Sequence, residues 1–486
     1  HDGKNITYKP VKTNVGPIQK FRWSDYAVYP NHDYEYQVIG VYGTPKNKQY
    51  VYGPKIKIKT ENPYTGIHQV VFNRAAAASQ AYERKPFGHT NPDDESDPLH
   101  QAARDWLTRG LRQKIERFIR RAKDENYALE VAIYEIEYDG IVDLLRKAIR
   151  KGVHVHIVYH AKRDDEQTHV NEQFLRRIPK RAKTGRVTSA IFHQKFIVLS
   201  KKNRHGEMEP RYVLTGTANF TPNGLWRQAN VVHVIRDKTI AAQYHQLFTH
   251  LKHATDRYSD TKKYIQAHFP VADADGRFPV FTPRYGFADI ALIKQYIESA
   301  RSELFLCSTF KIHDDITEAI RKQTKVIRYG LQNKRSSITG IHRSRSFTVP
   351  AILNKGLEGF LKESTKGQRG NILIHLKTLL VDFASDQPIV IVGSHNFSRP
   401  ASSKNDENFI VIKGDTSVAD IYFGEMMRLY DHYRFRYNIR ERQKRRKPHS
   451  RRRIVPIFLK PNDSWTDPYF KSGTLKCEER IRLSRK

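Results

Sequence analysis

Cysteine is nearly absent: Cys307 and Cys477 are the two in 486 residues. That excludes a disulfide framework and a thiolate zinc site. Cys307, inside the apolar run LFLCSTF, reads as a buried thiol, and the low count fits a cytoplasmic home. Long hydrophobic runs are missing too. None approaches the roughly 20 residues a membrane helix requires. Acid is scarce relative to base, 51 Asp+Glu against 85 Lys+Arg, for a net charge of +34. Such a chain is drawn to polyanions. With no amphipathic anchor or lipidation motif in view, nucleic acid, DNA above all, is the expected partner rather than a membrane surface. The sequence begins at His1, which leaves a preceding leader segment open.

Apolar residues make up 38%, with 24 Phe and 26 Tyr, which excludes general disorder and supports a packed core. The length suggests about three domains. Residues 1–61 look all-β, with YEYQVIGVYG and YVYGPKIKIKT separated by the turn signal TPKNK. YPNHDYEYQV resembles the tyrosine corner of a fibronectin type III or immunoglobulin-like sandwich, with Tyr34 bonding back to the corner. The stretch is short for a full sandwich. A protein partner through this region is a further expectation. Residues 62–102 form a connector in which GIHQVVFNRAAAASQAY is expected to be a helix.

From 103 the pattern alternates helix and strand. LRQKIERFIRRAK places Leu111, Ile115, Phe118, Ile119 and Ala122 on one helical face. Strand LEVAIY, helix IVDLLRKAIRKG and strand VHVHIVY follow, a unit that predicts parallel pairing within an α/β sheet. Residues 271–435 repeat the plan of residues 103–270. Helices are expected over 238–252, 289–300, 314–322 and 417–435. The tail, 436–486, is basic, and DSWTDPYF within it is expected to anchor onto a lobe.

Two segments match. IFHQKFIVLS precedes VLTGTANFTPNGLWRQANVVHVI, and LIHLKTLLVDF precedes VIVGSHNFSRPASSKNDENFIVI. Each carries His-x-Lys, then Gly-[Ser/Thr]-x-Asn, 23 residues past the His in the first copy and 18 in the second. Each ends on an Asn at a final apolar strand, Asn230 and Asn408. In a strand, residues i and i+2 share a face. His193 therefore projects with Lys195, and His375 with Lys377. Gly216 and Gly393 allow close backbone approach and set Asn219 and Asn396 beside the His-Lys pairs. These residue types suit phosphoryl transfer: one imidazole attacks phosphorus, the other moves protons, and lysine, asparagine and Ser/Thr groups such as Thr217 and Ser394 stabilise charge on oxygen. Two lysine charges take the place of a metal, and no cofactor is implied.

These motifs resemble the phospholipase D family, whose signature is His, any residue, Lys, four residues, Asp. HLKTLLVD fits in full, with Asp382 in place, and GSHNFSRPASSKNDEN resembles the segment that follows it. The resemblance spans roughly 103–435. It implies an α/β fold of two pseudo-symmetric lobes with mixed sheets flanked by helices, one active site between them, and a metal-independent two-step reaction through phosphohistidine. The N-terminal β region and the connector look similar to bacterial members of unassigned role. By this analogy His193 is the nucleophile, His375 the general acid, and acids such as Asp382 and Glu407 steady a histidine ring or its supporting loop; the residues alone leave the two histidine roles open. The first copy departs from the pattern. Ser200 stands at the Asp position, and Gln228 and Ala229 precede Asn230 where the second copy has Asp406 and Glu407.

Other features bear on substrate. Arg176, Arg177, Lys180 and Arg181, in RRIPKRAK, are candidates to line a phosphate groove, and residues 440–453 to form a nucleic-acid arm. Phe220, Trp226 and Phe397 could stack on bases, with core packing the simpler reading for the two phenylalanines. His154 and His156 read as structural, and His160 as a loop residue near the site. The expected activity is cleavage of nucleic acid. The alternatives are a phospholipase D acting on lipid and a degenerate DNA-binding protein.

Overall fold

The computed structural model describes residues 12–44, 46–74, 82, 85–88, 90–187, 190–253, 258–333, 348–350, 374–444 and 459–484. The chain divides into two compact units, residues 1–62 with 446–486, and residues 63–445.

In the smaller unit, β1 (Asp33–Thr44) and β2 (Asn47–Lys59) form a two-stranded antiparallel sheet. A sandwich was expected; among the described residues no second sheet faces the hairpin. Val38, Tyr42, Tyr52 and Ile56 are accordingly exposed. Tyr34 does accept a hydrogen bond from the Tyr29 N–H at 2.7 Å, the corner contact read from the sequence. The segment DSWTDPYF packs on Phe21 of the same unit: the rings of Trp465, Tyr469 and Phe470 lie 4.9–5.6 Å from it.

The larger unit holds two seven-stranded sheets with the same order. The first runs β3–β9–β8–β7–β4–β5–β6, and the second β10–β16–β15–β14–β11–β12–β13. The strands of the first are β3 His68–Phe72, β4 Tyr127–Ile133, β5 His154–His160, β6 Lys183–Arg186, β7 Lys195–Lys202, β8 Met208–Gly216 and β9 Val231–Ile235. Those of the second are β10 Arg277–Thr282, β11 Glu303–Ser308, β12 Ile327–Gln332, β13 Thr348–Pro350, β14 Thr378–Val381, β15 Ile389–Gly393 and β16 Glu407–Lys413. β4, β5 and β6 are parallel, as are β11, β12 and β13; the other neighbours are antiparallel. The strand–helix–strand units produce this parallel pairing, because a strand can re-enter its sheet in the same direction only through a crossover.

β3 corrects one expectation. GIHQVVF was read as the start of a helix, but His68–Phe72 pairs with β9, and all five residues are buried. Val-Val-Phe suits a strand covered on both faces better than a helix; residues 75–81 lie outside the described residues. The closing helix, expected over 417–435, runs over Thr416–Lys444 and takes up the start of the basic stretch; residues 445–453 lie outside the described residues.

Helix Leu111–Ile119 and helix Asp139–Arg150 cover one face of the first sheet through Leu111, Ile115, Phe118, Ile141 and Leu145. Helix Ala288–Ser299 and helix Asp314–Lys322 do the same for the second. Two further helices join the sheets. Tyr244, on helix Lys238–His253, meets Phe196 of β7 and Phe281 of β10, each at 5.0 Å. On the closing helix, Tyr422 meets Phe72 of β3 and Tyr430 meets Phe305 of β11. A large buried aromatic such as Tyr244 contributes a few kcal/mol, roughly 3–5 when truncated.

Candidate active site

The site forms where the entries to β7 and β14 meet across the two lobes. His193 precedes β7, and its N–H bonds to the Asp406 carbonyl of the second lobe at 2.9 Å. His375 precedes β14, and its N–H bonds to the Ala229 carbonyl of the first lobe at 3.1 Å. Short parallel bridges, Phe192 to Asp406 and Ala229 to Ile374, stitch these segments together. Each histidine backbone is thus positioned by the opposite lobe.

The side chains follow the same crossed pattern. His193 Nδ1 stands 3.3 Å from Glu407 Oε1. Glu407 is anchored in turn by the Asn396 N–H at 3.0 Å and Asn405 Nδ2 at 2.8 Å. His375 Nδ1 lies 2.9 Å from Asn230 Oδ1. The Asn230 amide donates to the Gly224 and Gln228 carbonyls at 3.0 and 3.2 Å, which fixes its oxygen toward the histidine. His375 therefore carries its proton on Nδ1 and presents a bare Nε2.

These contacts revise the pairing of the two copies. Thr217 N–H bonds to the Val231 carbonyl, and Ser394 N–H to that of Asn408; Gly216 pairs with Val232, and Gly393 with Phe409. The structural counterpart of Glu407 is therefore Asn230, and that of Asp406 is Ala229. The sequence reading set Asn230 against Asn408, one residue out of step. The first-copy departure thus bears on His375, through Asn230, while His193 keeps its acid.

Both lysines are buried and fold back on their own motif. Lys195 Nζ donates to the His193 carbonyl at 3.2 Å, and Lys377 Nζ to that of His375 at 2.8 Å. Lys377 also donates to Thr309 Oγ1 at 3.1 Å, while Lys195 lies 5.3 Å from the Tyr134 ring centre. Tyr134 packs on His193 with ring centres 5.3 Å apart. Glu135 attracts both lysines and accepts a hydrogen bond from Asn219. Asn219 Oδ1 and Asn396 Oδ1 are buried without a hydrogen-bond partner among the described residues. Gly216 and Gly393 make this closeness possible: a Cβ on either would sit 2.3 or 2.2 Å from a neighbouring backbone carbonyl oxygen.

Burial and neighbouring cations set the charges. Burial, then Lys195, holds His193 down at about 4 against the pull of Glu407. Burial, then Lys377 and Lys195, holds His375 well below its ordinary value. Both lysines are lowered by burial. Burial works to raise Glu407, but attraction to His193 outweighs it and keeps the carboxyl at about 2. Near neutral pH the His193 ring is therefore neutral, beside the Glu407 carboxylate.

Other predicted site residues fall elsewhere. Asp382 does not touch the histidines. It lies beyond the far end of β14, where its carboxylate accepts from the N–H groups of Arg301, Ser302 and Glu303 at 2.7–3.1 Å. Its counterpart Ser200 is a buried residue inside β7. Thr217 supports rather than binds: its hydroxyl donates to Asn230 Oδ1 at 2.7 Å and accepts from the Val231 N–H. Ser394 Oγ accepts from the Asn408 N–H at 3.0 Å and holds its turn. Arg177 is paired with Asp139 and Asp143. The run Arg176–Arg181 enters β6 at Lys183, opposite Ile157, whereas the end of β6 nearer the site is Arg186, opposite His160. Arg176 caps helix Glu166–Leu175, and Lys180 and Arg181 lie in the short 3-10 turn that leads into β6. Phe220, Trp226 and Phe397 are core residues.

Sequence reasoning missed Tyr134, Glu135, Thr309 and the Arg186–Asp406 ion pair. That pair, 3.1 Å apart, is fully buried and joins the lobes beside His193. His160 accepts from the Phe192 N–H at 3.2 Å and steadies the same turn. For Glu135 the signal was faint, an acid at the end of an apolar strand.

The family model for the cardiolipin synthase, PLD-like domain matches residues 115–252 and 293–427, over half of the chain. The protein belongs to the phospholipase D superfamily. No curated protein matches it. Among solved structures it is similar to polyphosphate kinase from Porphyromonas gingivalis, with 12% identity and a TM-score of 0.44 over 64% of this chain and 44% of that one. The phosphatidylserine synthase of Haemophilus influenzae Rd KW20 aligns at 13% identity and 0.44 over 66% and 85%. Nuc from Salmonella typhimurium, a phospholipase D family member, aligns at 20% and 0.25 over 32% and 94%. The chain thus spans under half the length of the kinase. Among the described residues, no helix is long and apolar enough to cross a membrane.

Proposed function

We propose that the protein is a metal-independent phosphodiesterase that cleaves nucleic acid, DNA above all, through a phosphohistidine. The observation that carries this reading is the convergence of two buried histidines and two buried lysines with two glutamates. Lys195 and Lys377 balance Glu135 and Glu407; a proton on His375 leaves one positive charge, which a phosphodiester anion neutralises. Binding that anion draws the His375 pKa upward. His193 Nε2 attacks phosphorus and forms the P–N bond, while the P–O bond to the leaving group breaks and its oxygen takes the proton from His375 Nε2. His375 then removes a proton from water, the water oxygen attacks phosphorus, and the P–N bond breaks. The lysines and asparagines meet the charge on the equatorial oxygens.

A net charge of +34 favours nucleic acid among phosphodiesters. End-labelled single- and double-stranded DNA incubated with the full chain in excess chelator is expected to be cut, and His193→Ala to abolish cutting. DNA left intact beside cleaved phospholipid vesicles would replace this reading with a lipid one, which the cardiolipin synthase-like family match also favours.

A further inference from the structure

Away from the histidines, two adjoining concavities of about 350 and 600 Å³ open on the first lobe. Their linings share Arg121. One follows helix Leu111–Ile119 and its flanks, where Arg109, Gln113, Arg117 and Arg121 recur at four-residue spacing beside Lys114. The other lies at the far end of the sheet, where Lys123, Lys201, Arg211 and Arg236 converge. Neither lining includes an acidic residue. Among the described residues, carboxylates reach it from outside at two points, Glu425 on Arg109 at 2.5 Å and Glu209 on Arg211 at 3.2 Å. Arg117, Lys123, Lys201 and Arg236 are exposed.

Like charges gathered in a concave site repel one another and are costly to desolvate unless an anion joins them. Lys114 feels this cost: it is buried against Gln69 at 2.5 Å, and burial, then Arg121 and Arg117, lowers it to about 8. The aromatic groups point to the kind of anion. Arg121 and Arg236 lie 5.1 and 6.0 Å from the Tyr212 ring centre, and Lys201 lies 5.4 Å from that of Tyr127. Rings engaged by cations orient those cations; they are not platforms for bases. The lining therefore suits phosphates in series, without base readout. Two adjoining cavities exceed what a single phosphate group fills. Lys201 is six residues past Lys195 on β7, about 20 Å along the strand.

We infer that this basic groove is a second, sequence-independent binding site for a nucleic-acid backbone, separate from the histidine centre. The inference rests on the nuclease reading for its choice of polyanion. It gives the enzyme a hold on long substrates that short ones do not use.

The test uses the full chain. In a His193→Ala background, where cleavage cannot deplete the ligand, affinity for a DNA of about 30 nucleotides is measured across a salt series, with and without Lys123→Ala/Lys201→Ala. The paired substitution is expected to weaken binding about tenfold or more near 0.15 M salt and to lower the slope of log K against log salt by about 2. Arg117→Ala/Arg236→Ala, at other exposed positions, is expected to do the same. Each pair in the otherwise native chain should leave hydrolysis of a small p-nitrophenyl phosphodiester unchanged. Unaltered affinity and slope in both pairs overturn the groove, as does binding to phosphatidylglycerol vesicles through these residues with no binding to DNA. The two readings fail separately: no turnover of the small diester beside groove-dependent DNA binding sinks the active-site reading alone, and turnover without such binding sinks the groove alone.

Discussion

The two lobes share a strand order and a His-x-Lys motif, yet they dress their histidines differently. His193 of the first lobe faces a carboxylate, Glu407, and packs on Tyr134. His375 of the second lobe faces an amide, Asn230. A carboxylate stabilises the positive imidazole that develops as the ring attacks phosphorus, whereas an amide fixes the tautomer without stabilising that charge. Histidine partnered by an amide gives up a proton more readily. The difference teaches that a repeated fold can hold two unlike histidine settings; under the proposed reaction it suits His193 to attack and His375 to deliver the proton.

The sharpest way to break this comparison is through the leaving group. With DNA, His193→Ala and His375→Ala should each lower cleavage by about 10⁴-fold or more. With a p-nitrophenyl diester, whose leaving group needs no proton, the first step should survive in His375→Ala as a burst of nitrophenol, while His193→Ala stays silent. A burst from His193→Ala instead would exchange the roles. Next in size, Glu407→Gln should cost about 10²–10⁴-fold in kcat, as loss of the acid behind a catalytic histidine does elsewhere; the value should greatly exceed that for Asn230→Ala. Asn230→Asp restores the symmetry. It should raise the His375 pKa and move the high-pH limb of the kcat profile upward, with a rate change under about tenfold at pH 7; an unmoved limb would separate Asn230 from proton transfer.

The smallest effect on chemistry belongs to Asp382. Asp382→Ala removes an acceptor for three backbone N–H groups and should cost about 1.5–3 kcal/mol of stability in denaturant unfolding. Its kcat, measured well below the new melting point, should stay within about threefold.

The sequence carried the repeat, the two His-x-Lys pairs and the parallel crossovers, because these rest on local periods of two and 3.6 residues. It carried less where partners are distant. Asn230 and His375 are 145 positions apart, and no local pattern joins them. The offset between Asn230 and Glu407 arose because both copies hold an Asn near the final strand, and only hydrogen-bond register tells which residue matches which. Asp382 misled for another reason: a motif spacing reveals that a residue is needed, not whether it serves the reaction or a turn about 16 Å along the strand from Lys377. The strand at His68–Phe72 was hidden by the alanine run that follows it.

The crossed bonding at the histidines bears on synthesis. A ribosome that has delivered only the first lobe has made His193 and Lys195, but neither Asp406 to hold the turn nor Glu407 to face the ring. Half of the second lobe adds His375 and still leaves His193 without its acid. The complete site therefore arrives late, once β16 is in place, and a product that ends before β16 would lack it.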